Sequence, residues 1–205
     1  MAVIIIEGVV ATGKTTLVSA LTQHPAWMAK PTRAVISEHY TERVLELTNP
    51  TVADRVQLLE RHMTLLRTAD ELWKSYRFQG EHTVAPVTLL ERFHLTHAAQ
   101  VSDFAPFMDI DRELSRLDAA VVFIHHPREL LLRHILDTEH SRNPMWQRWL
   151  RSLGTESEIE DYFWRLQENI KVFINYSKTK VKTIEAYSRP PQELAEEVLA
   201  FTGTK

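Results

Sequence analysis

The stretch that most restricts this chain lies at its amino terminus, "AVIIIEGVVATGKTTL", where an apolar run stops at an acid and a glycine and reopens on Gly-Lys-Thr-Thr. Val3 to Ile6 are all β-branched, which suits a strand buried on both faces as in a parallel sheet. Gly8 and Gly13 bracket four residues and Lys14 and Thr15 follow, so the pattern G-x-x-x-x-G-K-[ST] is complete. Glycines let successive backbone N–H groups curl around an anion, and a helix beginning near Lys14 adds the positive end of its dipole. The loop is therefore read as a phosphate cradle. Lys14 is expected on the β- and γ-phosphates of ATP and the Thr15 hydroxyl on Mg²⁺. Gly8, Ala11, Thr12, Gly13, Lys14, Thr15 and Thr16 are the nucleotide-binding candidates of this segment.

Four more short apolar segments read as strands, at 33–37, 87–91, 119–125 and 181–186, each next to helical sequence. Alternation of that kind predicts an α/β fold of three layers: a five-stranded parallel sheet with helices on both faces. Residues 51–78 carry Val52, Val56, Leu59, Met63, Leu66 and Ala69 at three- and four-residue steps, a long amphipathic helix whose charges, among them Arg55, Glu60, Arg61 and Arg67, read as a solvated face. A second runs over 155–177, opened by Thr155 and Glu158 as a capping box, and a short one closes the chain at 189–201 with proline in its first turn. The span 137–154 fits neither period. It reads as a lid segment rich in arginine and tryptophan, or as a surface connection with Trp146 and Trp149 packed on the body.

The length of 205 residues suits one domain, 1–205, with the lid at about 133–154. A net charge of −3 recommends neither a nucleic acid polymer nor a membrane as partner, and leaves a small anionic ligand compatible. With no cysteine there is no thiolate metal site, and no signal segment is evident, so a cytoplasmic location is expected. A homodimer is compatible with all of this.

Ligands of open parallel sheets sit beyond the carboxyl ends of the strands, which here are Glu7, Glu38, Glu91 with Arg92, His125 with His126, and Glu185. Glu91 follows "VTLL" most cleanly and is the expected metal-side acid, with Glu185 the weaker competitor; the other reading of Glu91–Arg92 is an ion pair tying the strand end to a helix. His94 and His97 share a helical face without a third metal-type ligand, and read as surface or acceptor-pocket histidines rather than metal ligands. Gln57 and Arg61 share a face of the long helix, either solvated or facing an acceptor.

The phosphate loop, "SEHY" after the second strand, "ERFHLTH" after the third and "PRELLLR" after the fourth follow the order found in the thymidylate kinase and deoxynucleoside kinase group, which this chain resembles. The resemblance implies that Lys14 and Thr15 bind ATP and Mg²⁺, that Glu91 supports the metal, and that Arg92 binds the acceptor. It also implies that Arg133, six residues after Pro127, and Arg142 act as arginines in cis on the transferring phosphoryl group, and that Ala186 and Tyr187 pass the adenine. Glu38 would be the base that takes a proton from an attacking hydroxyl; its other reading is a helix cap or a partner of Arg43. The chain departs from the group at Ser37-Glu38-His39, where thymidylate kinases tend to have Arg-Glu-Pro, which points away from thymidylate. The expected activity is transfer of the γ-phosphate to a small acceptor, a nucleoside or similar alcohol. Alternatives are a nucleoside monophosphate acceptor, or a nucleotide-binding regulatory module with no small acceptor.

Overall fold

The computed structural model describes residues 1–45, 49–75 and 85–204. Five strands form one all-parallel sheet: β1 (Ala2–Glu7), β2 (Arg33–Ile36), β3 (Val87–Glu91), β4 (Ala120–His125) and β5 (Lys180–Glu185), in the order β2-β3-β1-β4-β5. β1 lies at the centre, where its run Val3 to Ile6 is at most 1% exposed. Successive side chains of a strand point to opposite faces, so this run feeds two cores at once.

Ile4 and Ile6 pack with Leu17 and Leu21 of α1 (Lys14–Gln23) and with Leu194, Val198 and Leu199 of α10 (Pro191–Phe201). Val3 and Ile5 join the larger core on the other face. That core takes in Leu59, Met63 and Leu66 of α4 (Val52–Ser75), Leu95 and Ala98 of α5 (His94–Val101) and Leu114 of α6 (Met108–Arg116). It also holds Leu131 and Ile135 of α7 (Arg128–Glu139) and Phe163 and Ile170 of α9 (Glu156–Ile174). This is the three-layer P-loop kinase fold. Among the described residues no helix is long and apolar enough to cross a membrane.

The long helix follows its apolar stripe as far as Ser75; positions 76–78 of the expected span lie outside the described residues. The Thr155–Glu158 capping box is formed in both directions at the start of α9. The segment 137–154 departs from a loop: its first residues extend α7, and Pro144–Ser152 form a helix, α8. Asn143 caps α8 by accepting from the Trp146 N–H at 2.8 Å, Pro144 sits at its first position, and Leu150 is buried under it. Trp149 then packs edge-on against Tyr162 and Phe163 of α9, with ring centroids 5.9 and 6.1 Å away.

Candidate active site

Glycine is needed at position 8 for two reasons. Its φ is 149°, and a Cβ there would stand 2.5 Å from the Ile124 carbonyl oxygen of the neighbouring strand. Ala11 and Gly13 also have positive φ, 61° and 89°, and with Gly8 they curl the chain into a tight loop between β1 and α1. The Thr12 hydroxyl stabilises it by donating to the Val9 carbonyl at 2.9 Å. Gly13 precedes α1 without a side-chain cap, which keeps the first N–H groups of α1 for an anion, and Thr16 is exposed on that first turn. The Lys14 ammonium crosses the loop to donate to the Val9 carbonyl at 2.7 Å. Burial, and then the nearby Arg92 guanidinium, push the Lys14 pKa down to about 7. The residues of this loop fit the phosphates of a nucleotide.

Thr15 and Glu91 are 76 residues apart in sequence and meet here, the hydroxyl donating to Oε1 at 2.8 Å. A hydroxyl beside a carboxylate suits Mg²⁺, which takes few protein ligands and keeps several waters. At Arg92 the chain turns through the left-handed region, φ 55°, its N–H held by the Ile6 carbonyl at 2.9 Å. The turn sends the Arg92 side chain toward α3 (Glu38–Thr41), where its Nε lies 3.1 Å from Glu38 and its Nη1 2.6 Å from Glu42. Burial works against charge at both acids. Arg92 nevertheless holds both below the usual carboxylate range, helped at Glu38 by Lys14 and at Glu42 by His97. Glu38 also lies 3.8 Å from Arg43.

Behind this cluster stands a wall of polar side chains. Gln100 of α5 donates to Glu42, and Arg55 of α4 donates to Gln100. His97 Nε2 is 2.7 Å from the Thr41 carbonyl and Nδ1 is 3.3 Å from Arg55. Burial drives the His97 pKa down to about 4. The Thr41 hydroxyl donates to the Glu91 carbonyl, so α3 is tied to the end of β3.

The two arginines expected at a lid have different surroundings. Arg142, in the turn before α8, lies over the Trp146 ring at 5.1 Å. Burial lowers its pKa, and the charges that act on it are those of Glu38, Arg92 and Arg43. Arg133 lies on an exposed face of α7, its side chain 73% accessible and 3.8 Å from Asp137 one turn on. The structure thus brings Lys14, Thr15, Glu38, Glu91, Arg92 and Arg142 into one neighbourhood and leaves Arg133 out of it. Ala186 packs against the core beneath α1 and α10, and the half-exposed Tyr187 ring is 6.0 Å from that of His134 on α7.

Both α5 histidines are buried, which corrects the surface reading. His94 pairs with Asp111 at 3.0 Å inside the core, and only His97 belongs to the wall. His126 is 4% exposed and lies beside the Ala11 carbonyl; its pKa is lowered to about 4 by burial first and by His134 next. Gln57 and Arg61 are exposed. Arg55, which reads in the sequence as part of the solvated face of the long helix, is instead half-buried against His97 and Gln100, and Glu42 and Gln100 had no assigned role. Only Glu42 left a signal, the i, i+4 step from Glu38; Arg55 and Gln100 meet across two helices and had none.

No family model matches the sequence, and no curated protein is similar to it. Among solved structures, the chain is similar to the YorR protein of Bacillus subtilis, crystallised in complex with phosphorylated GDP. The TM-score is 0.57 and the identity 14%, over 98% of this chain and 95% of that one. Similarity at that identity extends to the fold.

Proposed function

We propose that this protein is an ATP-dependent phosphotransferase that moves the γ-phosphate to a small acceptor, a nucleoside or similar alcohol. The observation that carries the reading is the Thr15–Glu91 contact beside Lys14, with the Glu38–Arg92 pair in the same neighbourhood. A phosphate loop alone binds nucleotide; a carboxylate and a cation facing it supply what transfer requires.

In this reading the loop N–H groups and Lys14 hold the donor phosphates, and Thr15 and Glu91 would hold Mg²⁺, which when bound would supply charge neutralisation for the transfer. Arg92 orients the acceptor. The acceptor oxygen attacks the γ-phosphorus, the bond to the β–γ bridging oxygen breaks, ADP leaves, and the acceptor proton passes to Glu38. Glu38 suits that role because Arg92 and Lys14 keep it in its basic form. Arg142 approaches the transferring group from the lid.

A second reading, a nucleoside monophosphate acceptor, is favoured by the guanidinium groups of Arg43, Arg92 and Arg142, all of which act on Glu38 or its neighbourhood. ADP release measured over a panel of nucleosides, monophosphates and other alcohols tests both. Release that no acceptor stimulates would leave the regulatory-module alternative.

A further inference from the structure

Glu7 ends β1 immediately before the phosphate loop, is 0% exposed, and has no part in the chemistry above. Its Oε1 accepts from the backbone N–H groups of Phe93 and Leu95, both at 3.1 Å, and its Oε2 accepts from the Thr96 hydroxyl. These donors form the first turn of α5. The N-cap there is Phe93, which has no side chain able to cap. A carboxylate from another strand, 86 residues away, does that work and meets the positive end of the helix dipole.

The same corner carries strain. Arg92 has a positive φ, a conformation a non-glycine residue keeps only where its surroundings over-determine it. The restraints come from consecutive residues of β1: the Ile6 carbonyl holds the Arg92 N–H, and Glu7 holds Phe93, Leu95 and Thr96. From Glu7 the chain passes directly into Gly8 of the loop. The two halves of the site, the phosphate loop with Thr15 and the corner with Glu91 and Arg92, meet at the Thr15–Glu91 contact and are joined a second time through the Glu7 side chain.

We infer that Glu7 is a positioning residue, resting on the kinase reading, which holds Glu91 at Thr15 and Arg92 at Glu38 in register with the phosphate loop. It acts on the metal and acceptor side and not on nucleotide binding itself. Glu7→Met removes all three acceptor contacts at similar volume. Glu7→Gln keeps one acceptor oxygen for Phe93 and Leu95 and obliges the Thr96 hydroxyl to turn.

The test compares kcat, the Mg²⁺ concentration giving half-maximal rate, and ADP affinity in EDTA for the three proteins. For Glu7→Met the expected results are a fall in kcat on the order of 10², a rise of roughly tenfold in half-saturating Mg²⁺, and unchanged ADP affinity in EDTA; Glu7→Gln falls between. A purely structural role would lower thermal stability and leave the kinetic constants of the folded protein alone, and that result overturns the inference. If Glu7→Met does not fold, Glu7→Gln decides: an unchanged Mg²⁺ dependence overturns it. Failure of the kinase reading is separate, appearing as no acceptor-dependent ADP release by the unaltered protein. The comparison then rests on ADP binding with and without Mg²⁺: the inference expects equal curves without Mg²⁺ and weaker binding by the variant with it, and equal curves in the presence of Mg²⁺ overturn it.

Discussion

Arg92 and Glu38 stand 3.1 Å apart, Nε to Oε2, joining the end of β3 to the start of α3, and the same guanidinium reaches Glu42 at 2.6 Å. One planar fork thus serves two carboxylates, and a lysine ammonium has no comparable reach. Arg92→Lys is expected to lower stability and raise the acceptor KM. Arg92→Ala, which leaves the buried Glu42 without its cation, is expected to cost about 3–5 kcal/mol in urea unfolding. A loss under ~1 kcal/mol would mean that the pair adds no more than a surface bridge.

Lys14 titrates near 7 in the folded protein against an ordinary value of 10.5. Phosphate oxygens beside it would raise that value again, so nucleotide binding should draw a proton from solvent near pH 7.5. Calorimetry of ADP binding in buffers of different ionisation enthalpy measures the uptake, and zero uptake would contradict the depressed value. Between pH 7 and about 10 the unfolded chain holds a proton that the folded chain has lost, so this residue makes stability rise with pH across that window. Below pH 7 its full penalty is present. Lys14→Met should therefore abolish turnover while stabilising the free protein at pH 7 by on the order of 1 kcal/mol.

His97 and His126 give the opposite end of the pH profile. Each falls from 6.5 to about 4, chiefly through burial. Below pH 6.5 the unfolded chain binds protons that the folded chain refuses, so stability falls as pH drops from 6.5 toward 4. The slope is at most about 1.4 kcal/mol per pH unit for each histidine. Glu38 and Glu42, whose values are lowered, add loss of the same sign below about 4.5. Replacing both histidines by glutamine should flatten the curve between pH 6.5 and 5 in thermal unfolding, and an unchanged slope would contradict this.

Arg133 and Arg142 should separate. Arg142→Ala is expected to lower kcat by a factor on the order of 10² with little change in ATP KM, because in the proposed reading Arg142 acts on charge developing in the transition state. Arg133→Ala should change kcat by about twofold at most, since its exposed side chain meets only Asp137 among described ionic partners. Equal losses at both positions would place Arg133 on the transferring group as well.

The tight loop between β1 and α1 and the sheet were legible because both are local: Gly8 to Thr15 is one continuous pattern, and Val3 to Ile6 declares a central strand by being β-branched throughout. Helix α8 had readable signals in Asn143, Pro144 and the apolar steps from Trp146 to Trp149 and Leu150, but it is only about two and a half turns long and follows the polar run 137–143, which hid it. The wall behind Glu42 was not readable. Arg55, His97 and Gln100 lie on two helices, and which faces meet is decided by how α4 and α5 pack. Arg133 and Arg142 looked alike in sequence; in the fold Arg142, in the turn before α8, feels the charges of Glu38, Arg92 and Arg43, whereas Arg133 lies exposed on α7.

Phosphoryl transfer itself is tested most directly by ADP release from ATP, followed with and without each acceptor for the unaltered protein and for Glu38→Gln. That substitution keeps shape and hydrogen bonding but removes the base. The account predicts acceptor-dependent release by the unaltered protein, one phosphorylated alcohol formed per ADP. It also predicts that kcat falls about 10²- to 10⁴-fold in the Gln variant while the ATP KM holds. A Gln variant that stays fully active on a monophosphate would transfer the assignment to the second reading, and an unaltered protein whose ADP release no acceptor stimulates would contradict the account.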